Sequence, residues 1–141
     1  MHRYSYKIYR HISAGDSGWT SYYDINKLVS KDDYMQIEMS YLNLILHISK
    51  VMLVSEFEIC ELENPHKLKY YEGEFIPLKR ITTLIRKILR ERIWCKLYSR
   101  QLQIHFGYDY CMYIVSSKNL IEYFKDFNNI LNIQLSPSPY L

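Results

Sequence analysis

The sequence predicts an α+β domain, a mostly antiparallel sheet with two or three helices packed on it. Three observations lead there. Short runs with period-two alternation recur along the chain, at 2–12, 53–62, 93–98, 102–106, 110–115 and 131–135. Between them lie longer stretches with helical periodicity, at 30–52 and from Pro77 to near Glu91, and a shorter one at 116–129. No linker, internal repeat or low-complexity segment divides the 141 residues, so 1–141 reads as a single domain.

The elements follow in order. In the first strand Tyr4, Tyr6 and Ile8, with His11 or Ile12, alternate against Arg3, Ser5, Lys7 and Arg10, with a slip near Tyr9. Gly15, Asp16, Ser17 and Gly18 form a turn cluster, and 19–25 reads as a short second strand. Ser30 is placed to cap a helix whose first turn carries Asp32 and Asp33. Its polar arc is narrow (Gln36, Ser40, Asn43, His47), so the helix should be largely covered. A strand-like alternation at Ile37, Met39 and Tyr41 competes with that reading. The next strand sets Leu53, Ser55, Phe57 and Ile59 on one face and Glu56, Glu58 and Cys60 on the other; Asn64, Pro65, His66 and Lys67 end it.

Pro77 opens the second helix at its first turn, where a missing N–H costs little. Ile81, Leu84, Ile85, Ile88 and Leu89 share its apolar face. Lys79, Arg80, Arg86, Lys87 and Arg90 share the opposite one. Residues 93–98 and 102–106 pair as a hairpin, Gly107, Tyr108 and Asp109 turn, and 110–115 returns. Ser116 and Ser117 cap a short helix with Leu120, Ile121, Phe124 and Phe127 inward. The last strand, 131–135, is halted by Pro137 and Pro139.

Composition narrows the function classes. Hydrophobic residues make up 48 %, enough for a core without disulfide or metal support. The three cysteines, Cys60, Cys95 and Cys111, have no disulfide or zinc spacing, and four scattered glycines offer no phosphate loop. No cofactor and no metal is expected. Residues 1–14 hold no continuous apolar run and 42–48 is too short to span a bilayer, which predicts a cytosolic protein without membrane contact. A net charge of +3 is mild. Fifteen tyrosines are unusual: some suit a sheet surface, and some suit an interface, where a ring and a hydroxyl serve together.

Several constellations compete to carry function. His105, Tyr108, Asp109, Tyr110 and Cys111 are the densest reactive group, and His105 with Cys111 has the makings of a base–nucleophile pair across a hairpin. A small hydrolase or nuclease would centre there. Lys79, Arg80, Arg86, Lys87 and Arg90, with Trp94 and Tyr98 nearby, suit a nucleic-acid-binding module. Glu56, Glu58, Glu61 and Glu63 gather carboxylates on one strand. They fit either a basic partner or an edge protected by charge.

Ile93-Trp94-Cys95-Lys96-Leu97, then His105-Phe106-Gly107-Tyr108-Asp109-Tyr110-Cys111-Met112-Tyr113-Ile114, and the terminal Ser138-Pro139-Tyr140 carry a resemblance. In these segments the chain resembles small bacterial immunity proteins of contact-dependent growth inhibition and related polymorphic toxin systems. The resemblance spans about the last third to half of the chain, from near Arg90. It departs where Asn132 and Gln134 stand in place of the acids that precede Ser-Pro-Tyr in the family. It implies a non-enzyme that binds and neutralises a cognate toxin C-terminal domain, often a nuclease. The partner-binding residues it suggests are Glu56, Glu58, Glu61 and Glu63, together with Tyr22, Tyr23, Asp24, Tyr108, Asp109 and Tyr110 at expected strand ends and turns. A homo-oligomer is a further possibility, through pairing of the 131–135 edge.

Overall fold

The computed structural model describes residues 3–11 and 18–141. Its strands are β1 (Tyr4–Arg10), β2 (Glu56–Glu63), β3 (Phe75–Pro77), β4 (Trp94–Tyr98), β5 (Leu102–Phe106), β6 (Met112–Ser116) and β7 (Leu131–Leu135). The α-helices are α1 (Lys31–Val51) and α2 (Leu78–Leu89), and 3-10 segments occupy Tyr22–Asp24 and Ile121–Phe127. One sheet runs β3-β2-β4-β5-β6-β1-β7, and each neighbouring pair is antiparallel. This is the α+β fold expected from the alternation pattern. The centre is the meander β4-β5-β6. On one side β2 lies between β3 and β4, which α2 connects; on the other β1 lies between β6 and β7, joined by the second 3-10 segment.

Strand side chains alternate into a core shared with the helices: Tyr6 and Ile8 from β1, Phe57 and Ile59 from β2, Cys95 and Leu97 from β4, and Ile104 and Ile114 from β5 and β6. Helix α1 wins over the competing strand pattern because its buried set recurs at helical spacing: Tyr34, Glu38, Tyr41, Leu42, Ile45, Ile48 and Ser49. The Ser30 hydroxyl caps it, accepting the Asp33 N–H at 3.1 Å. On α2 the inward residues are Ile81, Leu84, Ile85, Ile88 and Leu89, the stripe expected. Pro77 stands at its N-cap and not inside the first turn.

Both helices end in a Schellman motif that lacks glycine. After α1, Leu53 N–H bonds Lys50 C=O and Val54 N–H bonds Ser49 C=O, with Leu53 at φ 56°. After α2, Glu91 N–H bonds Ile88 C=O and Arg92 N–H bonds Lys87 C=O, with Glu91 at φ 60°. Leu53 is therefore a cap residue, 90 % exposed, and does not begin the β2 core face.

Four other expectations change. Residues 19–25 form no strand: the Asp24 carboxylate accepts the Thr20 and Ser21 N–H groups and Ser21 Oγ accepts the Tyr23 N–H, curling the segment into a capped 3-10 turn. Residues 116–129 contain a 3-10 run and no α-helix; Leu120 and Phe124 are buried, but Ile121 is exposed. Ser116 ends β6 and does not cap that run. Arg10 faces inward with Tyr6 and Ile8; its guanidinium lies 4.3 Å from the Trp19 ring centroid and donates to the Trp19 carbonyl. The expected turn at Gly15, Asp16 and Ser17, and the strand ends at His2 and Ile12, fall outside the described residues.

Four of the fifteen tyrosines, Tyr6, Tyr34, Tyr41 and Tyr110, are buried in the core. Trp19, Tyr22, Tyr34, Tyr41 and Tyr110 stack edge-to-face in one cluster. Their hydroxyls are paired in series: Tyr41 donates to the Tyr110 carbonyl, Tyr110 donates to the Tyr34 hydroxyl at 2.6 Å, and Tyr34 donates to Glu38 Oε2 at 2.8 Å. Burial raises the pKa of all three phenols, so they stay protonated as donors.

Candidate functional site

The basic face of α2 is divided by the buried Glu38. Arg90 grips that carboxylate through Nε (2.9 Å) and Nη2 (2.8 Å), and Arg86 Nε lies 3.3 Å from it. The Arg90 guanidinium also covers the Tyr22 ring at 4.5 Å. The bond to Glu38 raises the Arg90 pKa further, fixing its charge. Two of the five cations expected to form one phosphate-binding stripe therefore neutralise a carboxylate in the interior. Lys87 lies over the Tyr70 ring at 5.3 Å, while Lys79 and Arg80 are exposed. The sequence could not reveal this division, because Glu38 lies on α1, 48 residues from Arg86 and 52 from Arg90.

The reactive group around His105 is also dispersed. His105 lies on the outer sheet face, buried beneath the chain's end. Its Nδ1 meets Ser138 Oγ at 2.7 Å and its Nε2 meets Gln103 Oε1 at 3.0 Å. Burial, with Lys96 adding to it, pulls its pKa down to about 4. Burial likewise raises the Cys111 thiol. Both shifts oppose a thiolate–imidazolium pair, and both His105 nitrogens are engaged elsewhere. Asp109 sits in the β5–β6 turn, beyond that pairing.

The four β2 carboxylates do not act as one row. A bulge between Cys60 and Glu63 breaks the register with β4, and Glu61 there has φ 52°. The Glu72 carboxylate accepts the Glu61 and Leu62 N–H groups, at 3.0 and 2.7 Å, and so occupies the edge beyond β3. Glu61 pairs with Lys96 at 2.5 Å. Glu56 and Glu58 stay beside β3, in register with Pro77 and Phe75. The bulge leaves Glu63 opposite Trp94, facing a cleft.

That cleft has a volume of about 620 Å³. It gathers Glu63 from the end of β2, Glu91 from the α2 cap, and Asp109 from the β5–β6 turn. Trp94, Tyr108 and Tyr140 supply aromatic surface. The Trp94 indole is fixed by its N–H on the Phe106 carbonyl at 2.9 Å. Tyr140 sits 6.0 Å from Trp94, centroid to centroid, and its carbonyl accepts from Lys96 Nζ. No Lys or Arg is among the described lining residues.

The β5–β6 turn sorts its two tyrosines. Cys111 N–H bonds Tyr108 C=O, and both central residues, Asp109 (φ 58°) and Tyr110 (φ 63°), are left-handed, as a type I′ turn requires. Tyr108 is thereby turned out, 86 % exposed, and Tyr110 is turned into the core at 4 %. Tyr110 is thus removed from the expected docking residues, because its ring and hydroxyl are spent inside. Asp24 is tied to its own turn; the Thr20 and Ser21 N–H groups hold its carboxyl below the usual range. Tyr22 is half-buried under Arg90, and Tyr23 remains exposed.

Of the ten residues expected to meet a partner, the cleft brings together Glu63, Tyr108 and Asp109 over the buried Tyr110. It adds Glu91, Trp94 and Tyr140. All three had a signal in the sequence: Glu91 is the lone acid in a basic stretch, Trp94 lies in the 93–97 segment, and Tyr140 ends the Ser-Pro-Tyr segment. No helix among the described residues is long and apolar enough to cross a membrane. Comparison with family models, with curated proteins and with solved structures gives no match for the chain.

Proposed function

We propose that this chain is an immunity-type protein of the cytoplasm, which binds a cognate toxin domain, a nuclease being the first candidate, and neutralises it in a tight protein–protein complex. One observation carries the reading: an acidic, aromatic-walled cleft with Tyr108 standing in solvent at its mouth. An exposed tyrosine on a turn held by the core is the kind of rigid anchor that concentrates binding energy at interfaces. A cleft bearing carboxylates complements a protein whose own surface is cationic, as a nuclease's substrate site is. The segments that resemble immunity proteins, 93–97, 105–114 and 138–140, supply most of the cleft's aromatic lining. Binding of this kind needs a preformed surface and no reacting group.

The test is co-expression with the toxin domain encoded directly upstream, followed by isolation of the complex. The reading expects protection of the cells and a 1:1 complex. Tyr108→Ala should weaken that complex by tenfold or more, on the order of 1.4 kcal/mol or above. Failure to form any complex with that domain would remove the reading.

A further inference from the structure

The cleft also specifies what the partner presents. Resting on the reading of this chain as a partner-holding domain, we propose that the cleft receives an arginine or lysine side chain from the partner protein. Its charged head meets Glu63, Glu91 and Asp109, and its stem lies along Trp94, Tyr108 and Tyr140.

Charge decides the sign of the occupant. Three carboxylates line the cleft and no Lys or Arg does so among the described residues. The nearby cation Lys96 is already held by Glu61 and by the Tyr140 carbonyl. Glu63, Glu91 and Asp109 are solvent-exposed; a phosphate placed among them meets like charge, whereas a cation meets opposite charge. The walls suit the same group, since ring faces attract cations and the apolar part of a long basic side chain packs on aromatic surface. The fixed indole of Trp94 means that little ordering is needed on binding.

Shape favours a protein over a free amine. The three carboxylates come from three separate segments, and about 620 Å³ exceeds what one side chain fills. Tyr108 is 86 % exposed, so a single basic side chain lying along it leaves most of the ring uncovered. A loop that inserts its basic side chain covers that ring with its own backbone and neighbours.

The experiment uses N-acetyl-arginine amide as probe and its citrulline counterpart as a neutral match of nearly the same shape. Binding is followed by Trp94 fluorescence and by the Trp94 indole N–H signal in NMR; the other tryptophan, Trp19, is buried in the core. The expected result is saturable binding of the arginine probe, weakened several-fold between 20 and 200 mM salt on the general screening scale, with no binding of the citrulline probe. Glu63→Gln, Glu91→Gln and Asp109→Asn combined should cost at least tenfold. Tyr108→Ala, a change at an exposed ring that leaves the fold intact, should cost several-fold. Equal binding of both probes, or an unaltered affinity in the triple variant, overturns the cation site. Probe binding without any toxin complex retires the immunity reading and leaves the cation site standing. A toxin complex indifferent to the triple variant does the reverse.

Discussion

Single residues with unusual surroundings give the sharpest predictions. Glu38 is a carboxylate inside the helix layer, held by Arg86, Arg90 and the Tyr34 hydroxyl. Removing one member of such a set strands the others, so Glu38→Gln should destabilise the fold by about 3 kcal/mol in urea titrations. Tyr110→Phe deletes only the donor to Tyr34 and should cost about 1 kcal/mol. His105 predicts a pH dependence. Its folded pKa, about 4, lies below the value near 6.5 of an unfolded histidine. Between those values the unfolded chain binds the extra proton, so stability falls as pH drops from about 6.5 towards 4. His105→Gln should remove that component, seen as a smaller loss than wild type between pH 7 and pH 5. An equal loss in both proteins would disconnect His105 from the effect. None of these environments was legible locally: Glu38 and Arg90 meet across 52 positions, and His105 and Ser138 across 33.

At the scale of elements, the strands and helices were readable wherever burial follows one period. The α2 stripe places the same residues inward in sequence and structure, and β4, β5 and β6 fall within the runs read as strands. Reading failed where hydrogen bonds between side chain and backbone set the conformation. The Ser21–Asp24 capping box overrode the strand-like composition of 19–25, and the β2 bulge, closed by Glu72, split a row of acids that looked continuous. The helix ends supply a paired prediction. Leu53 and Glu91 occupy left-handed cap positions that glycine adopts more cheaply, so Leu53→Gly and Glu91→Gly should each stabilise by on the order of 1 kcal/mol. Their functional effects should differ: Leu53 lies away from the cleft lining and its change should leave partner binding untouched, while Glu91→Gly should weaken it. Thermal unfolding beside titration with the partner separates the two.

At the scale of the molecule, the seven-stranded sheet gives its inner face to the helices and sends the chain's end across part of the outer face. Trp94, His105, Lys96 and Tyr113 there all meet residues of the 138–140 segment. The cleft opens beside that junction, where β2, α2, the β5–β6 turn and the tail converge. Sequence reading could name Glu63, Tyr108 and Asp109, but only the topology places them in one recess with Glu91, Trp94 and Tyr140. The same topology weakens the nucleic-acid alternative. Arg86 and Lys87 are poor probes of it, since changing Arg86 also disturbs Glu38; Lys79→Glu with Arg80→Glu is the cleaner variant and should leave any partner complex intact. The most direct test of the proposed docking role is calorimetric titration of this protein with the proposed toxin partner, wild type against Tyr108→Ala combined with Glu63→Lys. The account predicts a tight 1:1 complex for wild type and a loss of at least a hundredfold for the variant. A complex of undiminished affinity in the variant, or heat from catalytic turnover by the protein alone, would contradict it.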